Sequence, residues 1–262
     1  MAMIFDTHAH YDDARFDEDR ELVLDSLPQQ GVCAVVNAAS DLASARAGLA
    51  LAERFPFLWA TAGVHPQEVG GLAGPAEPTL EALRRLLAHP RAVAVGEIGL
   101  DYHYDAAPRE TQLVWFERQL RLAVELDLPV VVHDREAHED TLRLLREIRP
   151  RGVVHCFSGS PELASEILKL GMYIGLGGAV TFKNAKKPVE VAAMIPADRL
   201  VLETDAPYMT PVPFRGKRNH SGLIAHTAAR IAEIRGVPVE ELLRETRANA
   251  CALYGVTLPP AR

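Results

Sequence analysis

Histidines and carboxylates recur in this chain wherever a short apolar run ends. An H-x-H pair, His8 and His10, closes the first run; His65 follows the third, Glu97 the fourth, His133 the fifth, His155 the sixth, and Glu203 and Asp205 the eighth. The two side chains of an H-x-H pair share one side of an extended strand, because side-chain direction alternates with a period of two. A single histidine in such a place is usually a hydrogen-bonded core or turn residue. Five of the ten histidines in equivalent places ask for a shared cause. Imidazole and carboxylate ligands together suit zinc, manganese, iron, cobalt or nickel, and no cysteine stands in the array to favour a closed structural zinc site. His8, His10, Glu97, His133, His155 and Asp205 exceed what one four-coordinate ion with bound water accepts. A carboxylate such as Glu97 can bridge two ions about 3.5–4 Å apart. The pattern predicts an open, catalytic, binuclear centre.

Eight apolar runs, 3–6, 32–37, 58–64, 92–97, 129–133, 152–155, 172–176 and 200–203, read as strands. Several are apolar on consecutive residues, as strands covered on both faces are. Amphipathic segments suited to helices lie between them at 17–30, 42–54, 109–126, 136–148 and 161–170, and two more follow the last strand at 223–235 and 238–254. Asp41 and Ser160 stand where N-caps belong, Pro161 suits a first helical turn, and Gly31 and Gly171 follow helix ends. No Pro/Ser-rich linker divides the 262 residues. The expectation is one α/β domain over 1–262, a (β/α)8 TIM-like barrel with an extra C-terminal helix, ahead of a doubly wound open sheet. All C-terminal strand ends of such a barrel meet at one mouth, so ligands scattered from residue 8 to residue 205 would converge there.

Composition limits the classes further. With 48% hydrophobic and 24% charged residues the chain reads as a soluble globular protein. Its 28 basic and 35 acidic residues give a formal net charge of −7, which excludes a large non-specific nucleic-acid coat but not an enzyme with a local basic patch. Cys33, Cys156 and Cys251 are odd in number and far apart, so neither a disulfide framework nor a zinc finger is indicated. No leader-like segment or bilayer-spanning apolar run is evident, and a cytoplasmic location without membrane association is expected.

The ordered motifs resemble a known family. His8-x-His10, Gly63-Val64-His65-Pro66, the run from Gly96 through Glu97 to Asp101 and Tyr102, His133 in V-V-H-D-R, His155-Cys156-Phe157-Ser158-Gly159, and Glu203-Thr204-Asp205-Ala206-Pro207-Tyr208 are similar to those of the TatD metal-dependent deoxyribonucleases, within the amidohydrolase superfamily. Each motif alone is weak; the ordered set, from residue 4 to about residue 256, is specific. The resemblance implies a distorted TIM-like barrel, two divalent metal ions (zinc, manganese or magnesium) and hydrolysis of DNA phosphodiesters, with 3′-to-5′ exonuclease action. It also implies His8, His10 and Asp205 on one ion, His133 and His155 on the other, and Glu97 between them. Where many amidohydrolases bridge through a carbamylated lysine on the fourth strand, this chain offers Glu97. One departure follows Pro213-Phe214-Arg215-Gly216-Lys217-Arg218-Asn219: the family continues with Glu-Pro, this chain with His220-Ser221. Substrate-side contacts near Asn219 are therefore expected to differ.

Roles follow from chemistry. Asp205 is the candidate general base, with a turn or N-cap carboxylate as its plainer reading. His65 and Arg135 are candidates for holding phosphate, although Arg135 could equally begin a solvated helix. Glu203 is either a partner orienting a histidine or a satisfied polar residue, and Asp101 and Tyr102 either line the pocket or form a solvated loop. Lys183, Lys186, Lys187, Arg215, Lys217 and Arg218 form a basic cluster in the loops after the seventh and eighth strands, interleaved with Phe182, Phe214 and Tyr208 that could stack on bases. Two rivals stay open: another hydrolase on the same site, such as an aminoacyl-tRNA deacylase or a small amide or ester hydrolase, and a non-catalytic scaffold. Six intact ligands weigh against the scaffold, because buried imidazoles and carboxylates are costly without a cation. Oligomeric state is not legible.

Overall fold

A computed structural model describes residues 4–72, 75–104 and 106–258. Eight parallel strands form one sheet in chain order: β1 (Ile4–Ala9), β2 (Val32–Asn37), β3 (Leu58–Ala62), β4 (Ala92–Asp101), β5 (Val130–Arg135), β6 (Gly152–Val154), β7 (Tyr173–Leu176) and β8 (Leu200–Leu202). The ring closes through a parallel bridge between Ala9 and Ala206, with Asp205 N–H donating to His8 O at 2.9 Å and His10 N–H donating to Ala206 O at 2.7 Å. This is the expected (β/α)8 barrel. The expected start of the first strand at Met3 lies outside the described residues.

The continuous apolar runs have a direct cause. Alternate residues feed two cores: Phe5, Ala34, Val36, Ala94, Val131, Val153 and Val201 fill the barrel, while Ile4, Val35, Val95, Val130, Val132, Val154, Leu200 and Leu202 join the larger cluster shared with the helices. Both faces of each strand are thereby kept from water. Each fully buried aliphatic side chain contributes about 1.5–3 kcal/mol.

Helices α1 (Arg20–Ser26), α2 (Leu42–Arg54), α3 (Glu77–Leu87), α4 (Arg109–Glu125), α5 (His138–Ile148), α6 (Pro161–Lys169), α7 (Lys186–Met194) and α8 (Ile224–Arg235) cover the outside. The extra helix α9 (Val239–Tyr254) plugs the N-terminal end of the barrel: Leu253 and Tyr254 join the interior cluster, and Tyr254 OH donates to Thr7 O at 2.9 Å. Asp41 and Ser160 accept from Ser44 N at 2.7 Å and Leu163 N at 3.3 Å, as caps do. The helix expected over 17–30 is shorter. It ends at Ser26, because Pro28 cannot donate within a helix and opens a separate 3-10 turn, Pro28–Gln30. Both α3 and α7 lie outside the expected set.

Candidate metal centre

Strand ends carry the cluster. β1 brings His8, with His10 one residue past its end; β4 brings Glu97, β5 His133, and the turns after β3, β6 and β8 bring His65, His155 and Asp205. β4 runs further than expected, to Asp101, so Glu97 lies inside it. Gly99, at φ +149°, lets β4 pass the His133 backbone where a Cβ would collide with the His133 carbonyl. All six expected ligands converge. Together with His65, which was not among the expected ligands, their ligand atoms fall into three overlapping groups, His8–His155–Asp205, His8–His10–Glu97 and His65–Glu97–His133, each with its atoms within 4.8 Å of one another.

Glu97 stands in the middle with its two oxygens facing opposite ways. Oε2 lies 3.1 Å from His8 Nε2 and 3.6 Å from His10 Nε2, whereas Oε1 lies 2.7 Å from His155 Nε2, 2.8 Å from His133 Nδ1 and 3.4 Å from His65 Nε2. Asp205 Oδ1 completes the first side, 3.4 Å from His10 Nε2 and 3.8 Å from His8 Nε2. The His8 and His155 rings stack at 3.8 Å between centroids and tie the two sides together.

The far nitrogens choose the tautomers. His10 Nδ1 is 3.0 Å from Ala38 O, which can only accept, so Nδ1 carries the proton and Nε2 presents its lone pair to the cluster. His133 Nε2 is 3.3 Å from Asp101 Oδ2, leaving Nδ1 toward Glu97. A metal-binding histidine is oriented in the same way, by a carbonyl or carboxylate behind it. His65 is arranged oppositely. Its Nδ1 accepts from Gln67 N at 3.2 Å, so in the neutral ring Nε2 is a donor.

The charges are strongly coupled. Burial disfavours an ionised Glu97, yet the charges of His155, His65 and His8 hold it well below the usual carboxylate range. Burial also opposes protonated His10 and His133, but Asp205 and Glu97 raise His10 to about 9, and Asp101 and Glu97 raise His133 to about 9. Burial lowers His8 to about 4 and pushes Glu203 up to about 8.

These residues fit a divalent cation. His8 Nε2 and His10 Nε2 approach to 3.1 Å, and His155 Nε2 and His133 Nδ1 to 3.4 Å. At such separations the facing nitrogens need either a proton or a cation between them. The donor set is imidazole and carboxylate, the set that suits first-row divalent ions.

Asp101 is one of the residues that the sequence leaves undecided between pocket and loop. It is buried, takes Gln67 Nε2–H at 2.7 Å besides His133, and accepts backbone N–H groups of His103 and Tyr104 at 2.9 and 3.1 Å. The signal was its even separation from Glu97, which puts both on one face of a strand. Tyr102 instead donates to Asp140 at 2.8 Å. Glu203 lies 3.9 Å from His155 Nδ1, beyond hydrogen-bond reach, and accepts the Cys156 N–H; Gly175 leaves the room it occupies.

Among the expected substrate contacts, Lys183, Arg215 and Lys217 are exposed and Arg135 is half-buried. Arg215 lies over the Phe182 ring at 3.9 Å, and Lys217 is 5.6 Å from the Phe214 ring centroid. Arg218 is engaged with Asp19 at 2.6 Å. Asn219 corrects the expectation. It is fully buried, its amide donates to Thr204 O at 3.0 Å and Tyr208 O at 2.7 Å, and no polar atom is left for a substrate. The departing Ser221 is also buried: its hydroxyl donates to Asp6 at 2.6 Å and meets Tyr11 OH at 2.7 Å. His138 pairs with Asp134, His103 with Glu136 and His89 with Glu53, all apart from the cluster. No helix among the described residues is long and apolar enough to cross a membrane.

Known proteins share the sequence pattern and the fold of this chain. The family model described as TatD related DNase matches residues 5–255. The uncharacterized metal-dependent hydrolase YabD of Bacillus subtilis is 40% identical over 257 residues, 97% of this chain and 100% of the relative. The 3′-5′ ssDNA/RNA exonuclease TatD of Erwinia tasmaniensis is 36% identical, covering 97% of this chain and 100% of its own. The crystal structure of YjjV, a TatD homologue from Escherichia coli K12, superposes with a TM-score of 0.90 at 36% identity, over 98% of this chain and 99% of that one.

Proposed function

The chain belongs to the TatD family of metal-dependent hydrolases, and from that premise we propose that it cleaves phosphodiester bonds in nucleic acid, DNA foremost, trimming single-stranded 3′ ends. The relative named as a 3′-5′ ssDNA/RNA exonuclease supports the polarity and the single-stranded substrate. The observation that carries the reading is the division of Glu97 between two histidine groups. His8, His10 and Asp205 would hold one divalent ion and His133 and His155 a second, zinc, manganese or magnesium, with Glu97 spanning both. Such ions lower the pKa of bound water and polarise a phosphoryl oxygen.

The chain's own groups supply the rest. Asp205, which shares the cluster with His8 and His155, takes the proton of the water that attacks phosphorus. As the new P–O bond forms, the P–O ester bond to the remaining strand breaks, and its 3′ oxygen leaves and takes up the proton that Asp205 accepted. His65 points its Nε2–H into the cluster and donates to a phosphate oxygen. Arg135, two residues beyond His133, adds fixed positive charge, and Lys183, Arg215 and Lys217 gather the polyanion at the mouth. The substrate and ions are the partners this site calls for.

The test is elemental analysis of protein purified without chelators, followed by assay on single-stranded DNA, RNA and mischarged tRNA with manganese, magnesium or zinc. Mononucleotides released from the 3′ end are expected. Deacylation of tRNA with both strands left intact would move the activity to a carboxylic ester hydrolase on the same residues.

A further inference from the structure

Two aromatic rings are strongly exposed among the described residues, Tyr104 at 57% and Tyr208 at 43%, and both stand beside the metal centre. Every other aromatic side chain is buried or half-buried. Each lies three residues beyond an aspartate of the site, and its backbone N–H is bonded back to that residue, to the side chain of Asp101 and to the main-chain carbonyl of Asp205. Tyr104 N–H donates to Asp101 Oδ1 at 3.1 Å, while Asp101 Oδ2 faces His133. Tyr208 N–H donates to Asp205 O at 2.8 Å, and the Tyr208 ring stands 6.4 Å from the His10 ring, edge to face.

Each ring also carries a guanidinium. Arg135 Cζ lies 4.7 Å from the Tyr104 centroid and Arg15 Cζ 4.0 Å from that of Tyr208. The Tyr208 hydroxyl is 3.2 Å from Asp13 Oδ2, and the His103 ring packs edge-on against Tyr104 at 4.9 Å, so both rings are held in place. Tyr104 and Arg135 come from the ends of β4 and β5, Tyr208 and Arg15 from the loops after β8 and β1. In a closed ring ordered β1 to β8, those two pairs of strands are diametrically opposed. The metal centre lies between them.

We propose that Tyr104 with Arg135 and Tyr208 with Arg15 are two base-stacking platforms that receive the nucleotides on either side of the scissile phosphate. This rests on the phosphodiesterase reading above. An exposed ring stacks on any base, and a guanidinium beside it attracts both the π-face and the neighbouring phosphate. Splaying consecutive bases to opposite sides of the mouth is possible only for an unpaired end, so the platforms select single strands over duplex without reading sequence. Tyr104 and Tyr208 are thus positioning and specificity residues.

The test uses the metal-loaded enzyme and an oligonucleotide carrying 2-aminopurine at the terminal or the penultimate position, with a phosphorothioate at the terminal linkage to suppress cleavage. Binding quenches the fluorophore when it stacks. Tyr104→Ala and Tyr208→Ala each abolish quenching at one of the two positions and raise KM on the unmodified strand about tenfold, with kcat changed less. Tyr→Phe at the same places keeps the quenching and the KM. An abasic sugar at the matching position costs the wild-type enzyme the same factor and costs the Ala variant nothing more. Wild-type cleavage of the strand with unchanged quenching and KM in folded Ala variants would overturn the platforms. Failure of the wild-type enzyme to cleave any strand would instead overturn the phosphodiesterase reading, and quenching would still report on stacking.

Discussion

Asp101 Oδ2 receives the Nε2–H of His133 at 3.3 Å, and this contact decides which imidazole nitrogen is left to face Glu97. Without it the ring is free to turn or to exchange tautomers, and Nδ1 is no longer held toward the cluster. Asp101→Asn is expected to lower divalent-metal affinity by about 10- to 100-fold. Titration of the metal-free protein against a competing chromophoric chelator measures this; unaltered affinity would make Asp101 a loop anchor only.

Glu97 and Asp205 separate binding from chemistry. Glu97→Ala removes the one carboxylate that faces both histidine groups, so bound metal and hydrolysis are both expected to vanish. Asp205→Asn keeps an oxygen in place but not a base, and kcat should fall by about 10²- to 10⁴-fold. Circular dichroism should find both variants folded, since the two cores lie outside the cluster. Full turnover in either variant, with contaminating nuclease excluded, would remove the mechanism.

Metal removal should also be visible in stability. A ligand that binds only the folded chain stabilises it by about 2.7 kcal/mol when present at 100 times its dissociation constant. Calorimetry is expected to give a lower Tm in chelator, recovered on adding zinc, manganese or magnesium together with activity. A Tm indifferent to chelator, in protein proven metal-loaded beforehand, would contradict the assignment of these residues as ligands.

Beneath the site, Asp6 is a buried carboxylate accepting from His8 N, Thr204 N, Thr204 Oγ1 and Ser221 Oγ, at 3.2, 3.0, 2.6 and 2.6 Å. Ser221→Ala removes one donor to Asp6 and one of the two partners of the Tyr11 hydroxyl, which keeps only the backbone N–H of residue 221, and should cost about 1–3 kcal/mol. Urea denaturation would read this as a lower midpoint at constant slope. No change in midpoint would mean that the network tolerates the loss.

The amino-acid sequence determined the barrel and the array of candidate ligands because both are written in local pattern. Parallel strands buried on two faces carry apolar residues at consecutive positions, and the candidate ligands punctuate those runs. Neither α3 nor α7 was expected: α3 carries Leu80, Leu83 and Leu87 at helical spacing on its buried face, whereas α7, with two lysines and Pro188 in its first turn, offers a weaker pattern. Tertiary structure alone decided depth and partners. Asn219, expected beside substrate, is sealed beneath the mouth by carbonyls of Thr204 and Tyr208, while Asp101, left between pocket and solvent, stands behind His133. The Ser221 hydroxyl finds Asp6 across 215 residues of chain. Residue type and spacing say which groups can bind a cation or a proton; the side of the barrel wall on which they lie, and the nitrogen they are left to offer, depend on contacts between strands far apart in the chain.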